Sequence, residues 1–242
     1  MGPLLSLSGV CKSYWRGSQE VAVLADVSLE VHAGEIVAIW GQRAAGKTTL
    51  ATVAAGLETP DRGSVIFDGI DLSRAPHGGA ELRHQQIGWM QRIGPQSKEL
   101  RLVIDYVALP LLARHSPRVA RRHASAMLKH LGVADCAGEG CEALTDGERT
   151  LVAVAHALVR DPRLLIADDP TANLNVLQRE EVTALLRRAA NEHGLGVLMT
   201  VPDMPQMAYA DRVGSLSEGH LTLSGPRDRG NVIDFPGKQQ SA

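Results

Sequence analysis

A short apolar run that leads directly into a glycine-rich loop constrains the fold of this chain more than any other feature. The run spans residues 36–40 (IVAIW), and the loop after it, residues 41–49, reads GQRAAGKTT. An unbroken apolar run of this length is typical of a strand that is buried on both faces. The segment 48–57 then has helical character and is closed by Gly56. A strand, a glycine loop and a helix in this order predict an α/β domain with a phosphate-binding loop.

The residue types of this loop suit a nucleoside triphosphate with Mg²⁺. Gly41 permits a sharp exit from the strand, and Gly46 is expected to let the backbone approach the phosphates without a Cβ in the way. Successive N–H groups and the helix N-terminus form an anion nest. Lys47 supplies a positive charge to the β- and γ-phosphates, and Thr48 offers its hydroxyl to Mg²⁺. The predicted ATP-binding residues are the whole loop: Gly41, Gln42, Arg43, Ala44, Ala45, Gly46, Lys47, Thr48 and Thr49.

A second strand of buried type, residues 164–167, ends in Asp168 and Asp169. In a parallel sheet such a strand delivers Asp168 to the carboxyl edge, where the carboxylate can hold Mg²⁺ through water. Two acidic residues that merely cap a strand end are an alternative for this run taken alone. Its combination with the glycine loop favours the metal site.

The alternation of such segments predicts a mostly parallel sheet covered by helices, with a helical insert in the middle of the chain. Residues 92–160 are interpreted as that insert, which divides the nucleotide-binding core into 4–91 and 161–225, and residues 226–242 as a polar tail. Strands are expected at 21–24, 27–31, 64–67, 197–201 and within 213–223, helices at 119–131 and 176–191, and loops at Gly132, Gly138, Gly140 and Gly147.

Composition argues against several classes of protein. The net charge is −2 and aromatic residues make up only 3% of the chain. Neither a basic field nor a base-stacking platform for nucleic acid is therefore expected. The three cysteines lack paired CxxC spacing, which argues against a zinc site and a disulfide framework and fits a reducing cytosol. The apolar runs are far shorter than the ~20 residues that span a bilayer.

Further motifs resemble those of ATP-binding-cassette (ABC) ATPases. Over residues 144–148, LTDGE resembles the LSGGQ signature, and IGWMQ over 87–91 resembles the Q-loop. Residues 169–175 (DPTANLN) resemble the D-loop region, and 211–213 with 218–220 the closing hairpin. The resemblance covers roughly residues 4–225. The stretch VALPLL, 107–112, is similar to the branch of lipoprotein-releasing, macrolide-exporting and cell-division-associated cassettes.

This resemblance implies a P-loop NTPase (RecA-like) fold with an N-terminal antiparallel β portion and an inserted α-helical subdomain. It further implies that Tyr14 stacks on adenine, and that Gln91 touches Mg²⁺ and senses a transmembrane partner. Thr145 and Gly147 would cap the γ-phosphate of ATP held by an opposing subunit. In this family two cassettes pack head to tail around two ATP molecules, at the cytoplasmic face of the membrane, beneath permease subunits that choose the substrate.

Two residues of the hydrolytic machinery depart from the family pattern. Asp169 stands where relatives have the catalytic glutamate, and a carboxylate misplaced by about 1 Å can cost roughly 10²-fold in rate. Where relatives read T-H-D, this chain reads VPD over 201–203, so Pro202 replaces the switch histidine. A lost donor to the developing charge typically costs about 3 kcal/mol. Asp169 is retained as the candidate catalytic base, weakened by its length.

Smaller departures accompany these two. Asp146 replaces a signature glycine, Asn175 replaces the D-loop aspartate, and Arg43 and Ala44 replace small residues in the phosphate loop. The groups that bind ATP are kept, while groups needed only in the transition state are altered. That pattern predicts ATP binding with weak turnover at this chain's own site.

The first hypothesis is therefore the ATP-binding subunit of a multi-subunit ABC transporter, paired with a second cassette as a hetero- or homodimer. A heterodimer is attractive because a symmetric homodimer would repeat each defect in both sites. The alternative is a homodimeric switch, closed by ATP, that regulates a membrane complex with little ATPase activity. A third class, soluble cassettes acting on nucleic acid or ribosomes, usually carries two cassettes in one chain or a coiled-coil insert, and neither is present here.

Overall fold

The strand, loop and helix predicted over residues 36–57 are present in the computed structural model, which describes residues 2–72, 78–91, 102–202 and 209–224. Strand β3 (Ile36–Trp40) is followed by the loop and by α1 (Lys47–Ala54). Four of the five residues of β3 are buried, as the unbroken apolar run predicts for a strand with a layer on each face. The α1 helix is shorter than the predicted segment 48–57.

A six-stranded, mostly parallel sheet contains β3 at its centre, in the order β10-β9-β3-β8-β7-β6. Its pairs are parallel except for the closing hairpin of β9 and β10. The other strands are β6 (Ile87–Met90), β7 (Leu164–Asp168), β8 (Gly196–Val201), β9 (Arg212–Ser217) and β10 (His220–Leu223). The carboxyl ends of β3, β7 and β8 therefore meet at one edge, which is where ligands bind in such sheets.

A second, antiparallel sheet of four strands comes mainly from the N-terminal part of the chain, in the order β2-β1-β4-β5. Its strands are β1 (Leu5–Arg16), β2 (Gln19–Val31), β4 (Arg62–Phe67) and β5 (Ile70–Asp71). The two segments predicted at 21–24 and 27–31 are one continuous strand, since the pairing with β1 absorbs register shifts without breaking it.

The segment between β6 and β7 holds α3 (Val103–Ala108), α4 (Pro117–His130) and α5 (Asp146–Leu158). Short 3₁₀ turns, Leu109–Leu111 and Ala134–Gly138, lie between them. Another long helix, α6 (Val176–His193), lies between β7 and β8 in the chain. Among the described residues, no helix is both long and apolar enough to cross a bilayer.

Two apolar layers lie on opposite faces of the parallel sheet, and alternate strand residues divide between them. In β3, Val37 and Ile39 pack with α1 and the antiparallel sheet, whereas Ile36 and Ala38 pack with α3 to α6. Period-2 alternation of side chains explains the division. Helix α1 is thereby fixed between the two sheets, which sets the position of the loop that precedes it.

Several local predictions were wrong. Gly147 lies in the first turn of α5 and Gly138 within a 3₁₀ turn, so neither is in a loop. Helix α2 (Gly78–Gln86) and strand β6 were not predicted, because α2 has little apolar periodicity and β6 is only four residues long. The predicted polar tail, 226–242, lies outside the described residues, as do positions 92–101 of the insert and Asp203.

Candidate nucleotide site

The phosphate loop has the backbone pattern of an anion nest. Ala44 and Gly46 both have positive φ, 66° and 97°, and Gly46 is the N-cap of α1 without a side-chain cap. Left-handed residues in a turn that leads into a helix make a concavity of N–H groups, and the helix adds its positive end. The Lys47 ammonium donates to the carbonyl oxygens of Gly41 and Gln42 within the same loop. The loop is thus preformed around its lysine.

The two glycines are required by packing as well as by the expected ligand. A Cβ on Gly46 would lie 2.8 Å from the Val23 carbonyl oxygen of β2, in addition to the strain of its φ of 97°. A Cβ on Gly41 would lie 2.5 Å from the Leu216 carbonyl oxygen of β9. The predicted reason for Gly46, approach of the backbone to phosphate, is therefore incomplete, because the antiparallel sheet occupies the space a side chain would need.

The two predicted magnesium ligands from distant parts of the sequence meet at the carboxyl edge of the sheet. The Thr48 hydroxyl donates to Asp168 Oδ2 at 2.8 Å. Asp168 Oδ1 accepts a second hydrogen bond, at 2.7 Å, from the hydroxyl of Thr200 in β8. A carboxylate beside a hydroxyl is a hard oxygen donor set of the kind Mg²⁺ takes. These residues therefore fit the predicted ion.

Asp169, the predicted base, directly follows β7, and a hydrogen bond from its backbone N–H fixes its position. Its N–H donates to the Thr200 hydroxyl at 2.9 Å, and its φ is 50°. The side chain is buried, with only 6% of the residue exposed. The structure places this carboxylate beside Asp168, at the same sheet edge as the phosphate loop. Its catalytic role stays a prediction.

Tyr14, the predicted adenine-stacking residue, lies next to the first turns of α1. Its hydroxyl is 2.7 Å from both carboxylate oxygens of Glu58, and it also interacts with Thr49. Burial raises the pKa of the Tyr14 phenol. Lys12 lies 5.6 Å from the centre of the tyrosine ring and pairs with Glu58. The residue is 36% exposed, which leaves surface for a base.

Gln91, predicted to touch Mg²⁺, lies at the same edge of the sheet. It follows Met90, which pairs with Ala167 of the neighbouring parallel strand. Gln91 and Asp168 are the next residues, so they lie side by side at the carboxyl ends of β6 and β7. The Gln91 side chain is exposed. Its strand thus brings it near the predicted metal ligands, and contact with the ion stays a prediction.

The signature residues lie in the first turn of α5 and are arranged by a capping box. The Thr145 hydroxyl and backbone N–H both donate to the Glu148 carboxylate, at 2.7 and 2.9 Å. These hydrogen bonds lower the pKa of Glu148. A Cβ on Gly147 would lie 2.6 Å from Gln178 Nε2, so the start of α5 abuts the start of α6. Gly147 therefore lies against Gln178 of α6, and the contact of Thr145 and Gly147 with an opposing subunit stays a prediction.

Two of the residues that depart from the family pattern, Asn175 and Pro202, lie directly before α6 and directly after β8. Asn175 is the N-cap of α6 and forms a capping box with Gln178, accepting from its N–H at 3.0 Å. Asparagine caps a helix as well as aspartate does, so the local fold is kept at that position. Pro202 follows β8 directly and is exposed, with no side-chain donor to offer at the sheet edge.

Residues at the site that the sequence did not indicate are Thr200 and Glu58. Thr200 lies in an apolar strand and its hydroxyl has no motif around it, so only the pairing of β7 with β8 reveals its contact with Asp168. Glu58 comes just after α1 and is 44 residues from Tyr14 in the chain. The local sequence around Thr200 and around Glu58 therefore does not predict that either residue lies at the site.

Comparison with known proteins agrees with this geometry. The family described as "ABC transporter" matches residues 24–172. A curated relative named "Lipoprotein-releasing system ATP-binding protein LolD", from Hyphomonas neptunium, is 35% identical over 223 residues, which cover 91% of this chain and 97% of the relative.

Solved structures of cassettes superpose over most of the chain. The dimeric, post-hydrolysis MJ0796 cassette bound to ADP and Pi has a TM-score of 0.83 at 26% identity, covering 92% of this chain and 99% of that one. CbiO1 from Clostridium perfringens, part of the cbiONQ complex, has a TM-score of 0.79 at 26% identity, covering 93% and 88%. The predicted fold, a P-loop NTPase core with an antiparallel β portion, is confirmed.

Proposed function

The chain belongs to the family of ABC transporter ATPases, and from that premise we propose that it is the ATP-binding subunit of a multi-subunit transporter. It binds Mg-ATP at an interface with a second cassette and drives a separate transmembrane permease from the cytoplasmic face of the membrane. Hydrolysis at its own site is weak. The name of the curated relative favours a permease of the lipoprotein-releasing kind.

The observation that carries the proposal is the contact between Thr48 and Asp168. Residues 120 positions apart meet through a 2.8 Å hydrogen bond at the end of the preformed phosphate loop. Lys47 and the loop N–H groups would hold the β- and γ-phosphates, and Thr48 and Asp168 would hold the ion. Bound Mg²⁺ supplies charge neutralisation between the phosphate oxygens. The remaining work of binding falls to backbone groups, which none of the departures removes.

Weak hydrolysis is supported by the two groups next to this contact. Asp169 is one methylene shorter than glutamate, and its backbone is fixed at a φ of 50° by the bond to Thr200. Its carboxylate therefore has little freedom to reach further toward an attacking water. Pro202 removes the side-chain donor that would stabilise the developing charge.

A second cassette is supported by exposed apolar surface at the start of α6. Val176 and Leu177 are 69% and 71% exposed, directly after the N-cap Asn175 and beside the signature turn of α5. Large exposed apolar side chains next to residues predicted to contact an opposing subunit are expected to become buried in a dimer.

The test is to mix this chain with a candidate partner cassette and to measure ATP turnover. A heterodimer is expected to hydrolyse ATP faster than the sum of its separate subunits, because the partner supplies a competent site. Leu177→Glu should prevent this gain, whereas Leu57→Glu, at an exposed position just after the C-terminus of α1, serves as the matched control. No gain with any cassette would contradict the proposal.

A homodimeric switch is the second candidate, favoured by the coincidence of Asp169 and Pro202 in one site. In a homodimer both sites would close on ATP and open slowly. ATP-dependent self-association in light scattering, with hydrolysis barely above background, would support it. A chain that stays monomeric with ATP alone but dimerises with another cassette would exclude the switch.

A further inference from the structure

The hydroxyl of Thr200 joins the two carboxylate-bearing residues of the proposed site. Thr200 is 1% exposed and pairs with Asp168 across the parallel strands β8 and β7. Its Oγ1 donates to Asp168 Oδ1 at 2.7 Å and accepts the backbone N–H of Asp169 at 2.9 Å. The hydroxyl proton and a lone pair are thus both used, and each points at a different residue of the site.

The bond to Asp168 leaves its two oxygens with different partners. Oδ2 accepts from Thr48, the predicted metal ligand, and Oδ1 accepts from Thr200. A carboxylate held on one side by a buried strand can present the other oxygen in one orientation only. The Asp168 carboxylate is therefore already ordered in the folded protein before an ion binds.

The hydrogen bond from Asp169 N–H to Thr200 stabilises the Asp169 backbone in the left-handed conformation. A non-glycine residue with a φ of 50° is strained unless its surroundings determine it. The N–H that Thr200 accepts belongs to this residue and is buried at the end of β7. Removal of the acceptor would take this hydrogen bond away from a buried N–H and would loosen the direction of the Asp169 side chain.

We propose that Thr200 is a positioning residue that couples the orientation of the metal-facing carboxylate of Asp168 to that of the Asp169 backbone. This inference rests on the proposed function, in which both aspartates face Mg-ATP. Thr200 acts through its two neighbours and touches neither nucleotide nor ion. It preserves the metal site in a chain whose hydrolytic groups have changed.

The experiment compares Thr200→Val, which keeps the shape and removes the hydroxyl, with Thr200→Ser, which keeps the hydroxyl. In nucleotide-free protein, Asp169 N–H is expected to exchange with solvent roughly tenfold faster in T200V than in wild type, measured by NMR. In T200V, half-saturation of binding of a fluorescent ATP analogue should need about tenfold more Mg²⁺, while affinity without Mg²⁺ changes less than about twofold. T200S should restore both values.

The matched control is Thr183→Val, which removes a buried hydroxyl that, within the described part of the chain, donates to the Arg179 carbonyl of its own helix, α6. It should alter neither measurement. Wild-type values in T200V, or T200S behaving like T200V, would overturn the inference. If T200V does not fold, an unprotected Asp169 N–H in the wild-type protein overturns it equally. Failure of wild type to bind ATP would overturn the proposed function alone, because the exchange comparison needs no nucleotide.

Discussion

The phosphate loop and the adjoining ends of β7 and β8 lie side by side at one sheet edge, yet they differ in how their chemistry is held. The loop presents backbone N–H groups, fixed by Gly41, Gly46 and the packing of two sheets around α1. The strand ends present single side chains, Asp169 and Pro202, at positions where substitution leaves the strands intact. Under the proposed function, nucleotide binding that depends on main-chain groups would tolerate side-chain substitutions, whereas catalysis that depends on Asp169 and on the side chain at position 202 would not.

The largest effect is expected from removal of the one side chain on which the binding loop depends. Lys47→Ala should weaken ATP affinity by about 100-fold or more, because the loss removes a charge-assisted contact to the phosphates. Isothermal titration calorimetry measures the change. Lys129→Ala, on the exposed face of α4, is the control and should bind as wild type. Undiminished affinity of K47A would show that the loop is not the phosphate site.

The next largest effect is expected from substitutions just after the ends of β7 and β8. Asp169→Glu combined with Pro202→His should raise ATP hydrolysis by about tenfold or more in a dimer that already binds ATP, because we propose that both positions act in the transition state. Phosphate release measures turnover. Pro202→Ala alone removes the proline without adding a donor and should give no rise. An unchanged rate in the double variant would contradict the proposal that these two departures weaken turnover.

A smaller effect is expected at the adenine end of the binding region. Tyr14→Ala should weaken ATP affinity by roughly five- to tenfold through loss of stacking, whereas inorganic triphosphate should bind as before. Tyr14→Phe keeps the ring and removes only the hydroxyl, with its hydrogen bonds to Glu58 and Thr49, so it should lose about twofold. Competition binding with both ligands makes the comparison. Equal losses for ATP and triphosphate would contradict the assignment of Tyr14 to adenine.

The smallest effect concerns strain inside the loop. Ala44 has a φ of 66°, so Ala44→Gly should raise the free energy of unfolding by up to about 1 kcal/mol. The neighbouring Ala45 is not among the residues with positive φ, and Ala45→Gly should lower stability by about 0.5 to 1 kcal/mol. Urea unfolding measures both. A loss of stability in A44G like that in A45G would show that the loop stores no strain at this residue.

Local patterns that repeat in any α/β protein were enough to predict the strand, loop and helix around residues 36–57 and the strand before Asp168. The short strand β6 and the helix α2 escaped prediction because four residues, or a helix with weak apolar periodicity, carry little signal. The extents of β2 and α1 were also set by their neighbours, through pairing with β1 and packing between the sheets.

The residue types available at this site follow from local sequence: a lysine and a threonine after two glycines, two aspartates after a buried strand, and proline in place of histidine at position 202. Each of these is a local property of residue type and spacing. The tertiary structure alone decided which groups meet, namely Thr48 with Asp168 across 120 residues and Thr200 with both aspartates. Such contacts follow from the order of strands in the sheet, which depends on the burial of two whole faces and is encoded by no single segment.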